Sequence, residues 1–428
     1  MSEVAVLKQT RATFGVYGQL LLLAMSAGAI FRLIYLRANF QEVLESTLKI
    51  SVAQLNALYA WMGLAIVLGY LPSGWLADRF SVKRLIMIAL TSTALLSAGL
   101  ATLPPYAIAR WLYVGLGFSA VFLFWSAHMR SAKLLSNARN EGRIFGLLDG
   151  GRGGFEALFA TVATILYQWM VRAETHSLAH QEAGMRSVFL YFSTLQLGLA
   201  VLVVLFLQDE VRVERVDKAA PRDKERGWFV WKLDRQSRTL MLLMSAIIFS
   251  GYTLFFTGFS FYGLLSVNFA LDSGLVMRWI SLALWMRLVG SMLGGFLADR
   301  WAKPMILLIA MVGSMLGLIL LLTVLKKTTL VVVVVIAVSL TNAMIRGVYW
   351  SLLHYIRVDK RYLGRMIGMI SFVGYLPDLL LPWVSVYLFA RWDNASANTL
   401  YLWGSLGIGG LGLMSLGLFW LLSKREFR

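Results

Sequence analysis

The sequence predicts an all-α integral membrane protein of twelve transmembrane helices, arranged as two six-helix pseudo-symmetric halves with both termini in the cytoplasm. Three observations predict it. The chain of 428 residues is 59% hydrophobic and 14% charged, where a soluble chain carries about one-quarter charged residues. Apolar runs near the length of a bilayer crossing, about 17–25 residues, recur from end to end and leave no room for a sizeable soluble domain. A short charged stretch, GWLADRFSVKR from Gly74, returns nearly unchanged as GFLADRWAKP from Gly295.

The runs fall at about 14–38, 52–76, 85–103, 106–130, 143–170 and 186–208 in the first half. In the second they fall at about 239–267, 277–298, 304–325, 329–356, 364–390 and 398–422. The start, MSEVAVLKQTRATFG, has no short apolar core followed by a small-residue cleavage site, so no removable signal is expected. Assigning loops to alternate sides puts 27 Lys and Arg on the side holding both termini and 8 on the other. By the positive-inside rule that side is cytoplasmic. The net charge of +18 is therefore mainly a topology signal. Nucleic acid is excluded as a partner because the cations are spread over short loops between apolar runs.

The stretch QDEVRVERVDKAAPRDKERGWFVWKLDRQSR joins the halves. It is dense in both charges, poor in apolar residues and broken by Pro221, and it reads as a solvated cytoplasmic linker. The expected boundaries are 1–208 for the first half, 209–238 for the linker and 239–428 for the second half. With no cysteine there is no disulfide, thiolate metal site or cysteine nucleophile. His176 and His180 stand i, i+4, but in a polar loop beside Glu174 and Glu182 that reads as surface. Neither a metal nor a cofactor is expected, and no nucleophile–base–orienter set supports an enzyme.

The repeat continues beyond the charged turns. EGRIFGLLDGGRGGFEALF (Glu141–Phe159) aligns with LGRMIGMISFVGYLPDLLL (Leu363–Leu381). Gly142-Arg143 falls over Gly364-Arg365, Gly146 over Gly368, and Glu156 over Asp378. A Trp-Ser pair precedes each segment, Trp125-Ser126 and Trp350-Ser351. Parallel repeats of this size are a transporter architecture. Gly74 and Gly295 remove side chains where helices must approach closely. Asp78 and Asp299 sit at the turns, where a carboxylate can face the positive end of a helix.

These features together resemble the major facilitator superfamily. The resemblance covers the whole chain and rests on the twelve runs, the charged central loop and the G-x-L-A-D-R signature in both halves. The first copy keeps its basic tail at Lys83 and Arg84, whereas Pro304 stands where the second would carry a basic residue. Arg110 precedes Gly115 and Gly117 by one residue more than the family's helix 4 pattern requires, so that pattern is not carried over. The resemblance implies that Asp78 meets helix 11 near Gly364-Arg365, and Asp299 meets helix 5 near Gly142-Arg143, while the cytoplasmic side is closed. The expected gating set is Gly74, Asp78, Arg79, Arg84, Gly295, Asp299, Arg300, Arg143 and Arg365.

Ionisable residues at membrane depth cost about 2.5–3.5 kcal/mol on insertion scales, and usually line a cavity and act there. Arg32, Arg152, Arg287 and Arg346 lie within predicted crossings, with Asp149, Glu156 and Asp378 as acidic counterparts. The resemblance puts Arg32 and Arg346 on cavity-lining helices and Arg152, Arg287, Glu156 and Asp378 on its walls. Arg152 and Glu156, at i, i+4, share a helix face and can pair. Arg32 has no acid within a turn or two along the chain. An arginine fork suits carboxylate, phosphate or sulfonate. A small organic anion is the expected solute, held by Arg32 and Arg287 with Arg346, Arg152 and Tyr35. Glu156 and Asp378 are the expected proton carriers, and no G-x-x-x-x-G-K-S/T loop provides for ATP. The expectation is a monomeric secondary transporter of the inner membrane, its partners the solute, a proton or counter-anion, and the bilayer. Anion exchange, export of lipophilic compounds and solute sensing are the alternatives.

Overall fold

The computed structural model describes residues 15–171, 178–208, 233–271, 273–323 and 327–423. Most of the linker, at 209–232, and the loop residues Glu174 and His176 lie outside the described residues. Every regular element among the described residues is helical. The first half opens with α1 (Val16–Ile34), α2 (Arg37–Leu48), α3 (Val52–Arg79) and α4 (Val82–Ala101). Next come α5 (Tyr106–Phe118), a π-helical stretch at Ser119–Trp125 and α6 (Ser126–Leu135), which together make one crossing. Helices α7 (Glu141–Val171) and α8 (Leu178–Phe206) follow. The second half holds α9 (Arg235–Phe256), α10 (Ser273–Arg300), α11 (Lys303–Thr323) and α12 (Thr328–Tyr349). It ends with α13 (Leu363–Gly374), α14 (Pro377–Phe389) and α15 (Asn394–Ser423).

Local chemistry accounts for several boundaries. Ser51 accepts from the Gln54 amide while Gln54 returns a bond to the Ser51 amide, a capping box that starts α3. Asp234 caps α9 through the Ser237 amide at 3.0 Å. Eleven helical spans are long and apolar enough to cross a membrane among the described residues. The twelfth is α10, with 28 residues and a sequence that carries Arg278 and Arg287.

Two predicted runs are interrupted. The run at 14–38 stops at Ile34, and α2 restarts after a turn at Tyr35-Leu36. The Arg37 amide there donates to the Tyr59 hydroxyl at 3.0 Å instead of continuing the helix. The run at 364–390 breaks at Tyr375-Leu376 because Pro377 has no N–H to continue it, and becomes the first residue of α14 instead.

The chain forms two compact units. The first comprises residues 1–131, 155–227 and 363–368; the second comprises 132–154, 228–362 and 369–428. Each therefore includes a short segment from the other half of the sequence. In the first unit, Ser97 Oγ donates to the Phe189 carbonyl (2.7 Å) and Gln196 Nε2 to the Ala29 carbonyl (3.2 Å). In the second, Asn342 joins Ser314 (2.6 Å) to the Leu254 carbonyl (3.0 Å). Each of these buried donors is thus paired, as a low-dielectric surrounding demands. Large apolar residues such as Trp383 and Leu421 remain exposed, as they do on a surface that lipid covers.

Candidate functional site

The two repeated turns are built alike, one in each unit. The first amides of a helix have no partner of their own, and in both turns an aspartate from a distant segment supplies one. In the first unit, Asp78 accepts from the Gly364 amide (2.6 Å) and the Arg365 amide (3.0 Å), capping α13. Its charge also faces Arg365 Nε at 3.6 Å and Arg130 at 3.7 Å. Arg130 further donates to the Ala77 carbonyl, which fixes it on the turn. In the second unit, Asp299 accepts from the Gly142 amide (2.7 Å), the Arg143 amide (2.9 Å) and Arg143 Nε (3.0 Å), capping α7.

Glycines make both approaches possible. A β-carbon on Gly74 would strike the Gly364 carbonyl, and one on Gly295 would strike the Gly142 carbonyl. Gly368 against Tyr70, and Gly146 against Ser291, extend the same contacts by a turn. Of the expected gating residues, Arg79, Arg84 and Arg300 are exposed, and neither carboxylate draws a contact from them among the described residues. Arg79 lies over the Trp75 ring at 4.4 Å.

The deep charges of the second unit gather on Asp149. Its Oδ1 accepts from Arg346 Nη2 (3.0 Å) and Arg287 Nη2 (3.4 Å), and its Oδ2 accepts from Ser291 Oγ (2.9 Å). Ser291 Oγ also lies 3.0 Å from the Ala343 carbonyl, so its single proton serves one oxygen at a time. Arg152 is buried, and its charge acts on both Asp149 and Asp378. This group holds three guanidiniums and two carboxylates. Aromatic faces wall it: Arg346 stands 4.4 Å over Phe255 and 5.2 Å over Tyr252, and Arg287 stands 5.8 Å over Phe255. Arg346 Nε is buried and meets no hydrogen-bond acceptor among the described residues.

Asp378 lies in the first turn of α14, next to the break before Pro377. Tyr252 donates to its Oδ1 at 2.8 Å. The Tyr252 ring packs edge-on against Tyr375 at 4.9 Å. The Tyr375 hydroxyl lies 3.2 Å from the Tyr349 hydroxyl and accepts from Trp350 Nε1 at 2.9 Å. Four aromatic residues thereby tie the ends of α9, α12 and α13 to one carboxylate.

In the first unit, Arg32 occupies the last turn of α1, two residues from its end, instead of mid-helix as the unbroken run implied. Its guanidinium donates to Asn39 Oδ1, and Glu156 supplies the negative charge that acts on it. A β-carbon on Gly28 would meet Phe155, which shows how closely α1 and α7 approach at this level. Tyr35 forms the turn after α1, partly exposed, with its ring stacked on Phe31 at 6.4 Å. Sequence reasoning paired Arg32 with no acid, because Glu156 is remote along the chain.

It also named Asp149 only as an acidic counterpart at membrane depth, and it left out Ser291 and Arg130. A signal for Asp149 was present in GLLDGGRGG, where Gly146, Gly150 and Gly153 recur at helical spacing on one face. Gly150 meets the Leu288 carbonyl at 2.9 Å and Gly153 meets Arg287 Cδ at 2.9 Å, both measured from an added β-carbon. A glycine face of this kind marks a close helix neighbour, and here it seats Arg287 of α10 beside Asp149.

The comparisons with known proteins agree with this architecture. The family model described as Major Facilitator Superfamily matches residues 18–382. The chain is 24% identical over 422 residues to "Inner membrane protein YqcE" of Escherichia coli strain K12, covering 95% of this chain and 94% of that one. It is 20% identical over 373 residues to "Inner membrane protein YihN" of the same strain, covering 84% of each. Among solved structures it resembles a single-site variant of the E. coli fucose:proton symporter FucP, with TM-score 0.68, 14% identity, and coverage of 94% of this chain and 98% of that one. It resembles the proton:xylose symporter XylE bound to 6-bromo-6-deoxy-D-glucose equally well, at TM-score 0.68 and 14% identity, covering 95% of each. With its helical spans and repeated charged turns, the chain belongs to the Major Facilitator Superfamily and is a multi-pass inner-membrane transporter.

Proposed function

We propose that this transporter moves a small organic anion by alternating access and couples that movement to a proton. The observation that supports this most is the convergence of Arg152, Arg287 and Arg346 on one carboxylate, Asp149. The group is left with net positive charge, and Arg346 Nε has no acceptor among the described residues. Guanidinium forks hold carboxylate, phosphate or sulfonate oxygens in two-point contact. The incoming anion takes the place of Asp149 on Arg346 and Arg287, while Tyr252 and Phe255 shape the apolar side of the pocket. Glu156 and Asp378 are the coupling acids: Asp378 accepts from Tyr252 and feels the charges of Arg346 and Arg152, and Glu156 acts on Arg32. Asp78 and Asp299 act as latches whose helix caps break when the cytoplasmic side opens.

A neutral sugar is the second reading, because the two similar solved structures are named as proton symporters of fucose and xylose. Purified protein reconstituted in liposomes tests the choice. Labelled carboxylates, phosphate esters, sulfonates and neutral sugars are offered under an imposed pH gradient. Concentrative uptake of an anion, collapsed by a protonophore, supports the proposal; concentrative uptake of sugars alone overturns it.

A further inference from the structure

A groove of about 450 Å³ runs between α3 and α5 in the first unit, within the size range of small-ligand sites. Its walls are Leu64, Leu68 and Pro72 on one side and Val114 and Phe118 on the other. Gly69 lets the two helices meet at its floor, where a β-carbon would lie 3.2 Å from the Phe122 amide. The π-helical stretch at Ser119–Trp125 follows directly after α5 and supplies that floor. Arg110 stands at one end, 5.4 Å from the Trp111 ring centroid and 5.9 Å from that of Trp61. No carboxylate pairs with it among the described residues.

Position decides what Arg110 meets. It is the fifth residue of α5, about 6 Å along the axis from Tyr106. Gly69 meeting Phe122 and Gly117 meeting Met62 show that α3 and α5 run side by side in the same direction, so Arg110 lies near the end of this crossing away from the Asp78 turn. Tryptophan pairs at this level belong to the membrane–water interface. A cation at headgroup depth, above an apolar groove, matches a molecule with an anionic head and a hydrocarbon tail.

We infer that the groove between α3 and α5 binds an anionic phospholipid, with one acyl chain along Leu64, Leu68 and Phe118 and the phosphate on Arg110 between Trp61 and Trp111. The occupant comes from the bilayer, not from solution. An anionic lipid gains about fivefold in occupancy from one such cation at the surface. This site shares no residue with the arginine group around Asp149 and does not depend on the solute carried.

Native mass spectrometry of the full chain tests it, with dioleoyl phosphatidylglycerol and dioleoyl phosphatidylcholine titrated in parallel. Wild type should retain a first phosphatidylglycerol about fivefold more strongly than phosphatidylcholine. Arg110→Gln should bring the two to parity. Arg391→Gln, which removes an arginine on the Tyr387 ring, should leave the preference intact. Leu68→Trp, which fills the groove and keeps Arg110, should weaken retention of the first lipid of either kind. An undiminished preference in Arg110→Gln, an equal loss in Arg391→Gln, or full retention in Leu68→Trp would overturn the assignment.

Discussion

Arg346 carries the proposal at the scale of single residues. It is buried, its fork holds Asp149 at 3.0 Å, and its Nε–H meets no acceptor among the described residues. Charge-assisted hydrogen bonds contribute roughly 1.5–3 kcal/mol each. Arg346→Ala should therefore weaken anion affinity by about tenfold to a hundredfold, measured by titration of the purified protein. Arg346→Lys keeps the charge but loses the planar fork, and should also bind less well. Arg32→Ala should cost less than Arg346→Ala, because Arg32 is already committed to Asn39 and sits at the end of α1. Asp149→Asn makes a different prediction. Removing one partner of a buried ion pair costs about 3–5 kcal/mol, so the variant should melt well below wild type. A bound anion restores the missing charge and should raise the variant's melting temperature more than the wild type's. Equal shifts would mean that the solute does not take the Asp149 position.

Helices and their ends decide how these residues are held. The charged turns were legible because each motif names its own function: a glycine where backbones touch and an aspartate where a helix needs a cap. The structure meets both needs with the same geometry in each unit. Asp78 faces the guanidiniums of Arg130 and Arg365, whereas Asp299 faces that of Arg143 and the charge of Lys303, and the second copy of the turn carries Pro304 in place of a basic residue. Asp78→Asn should slow transport more than Asp299→Asn, with membrane insertion of both unchanged, as read by initial uptake rates in vesicles. Wild-type rates in Asp78→Asn would remove the latch role. Gly295→Leu should be more severe than either, because its side chain has no space against the Gly142 carbonyl. The breaks at Tyr35-Leu36 and Tyr375-Leu376 were harder to read. Hydropathy continues unbroken across both, and the interruptions come from one proline and from a contact with a distant tyrosine. The Asp149 group was harder still. It depends on which faces of α7, α10 and α12 meet, and only the glycine spacing on α7 hinted at that.

For the molecule as a whole, composition and the recurring apolar runs were enough to specify a multi-pass membrane protein. The internal repeat was enough to specify its family. Neither addresses the solute, because that choice rests on a few charged groups whose partners are far apart along the chain. Coupling belongs to this scale. Neutralising Glu156 or Asp378, as Glu156→Gln or Asp378→Asn, should abolish uptake driven by a pH gradient and preserve exchange of labelled for unlabelled solute. Loss of exchange as well would identify the residue as structural.

The most direct measurement is the thermal stability of purified wild type and Arg346→Ala against one panel of small carboxylates, phosphate esters, sulfonates and neutral sugars. A ligand at about a hundred times its Kd stabilises the state it binds by about 2.7 kcal/mol, which a melting curve resolves. At least one anion should raise the melting temperature of wild type, and Arg346→Ala should lose the shift. Stabilisation of wild type by neutral sugars alone, or by an anion to the same extent in both proteins, would contradict the anion proposal.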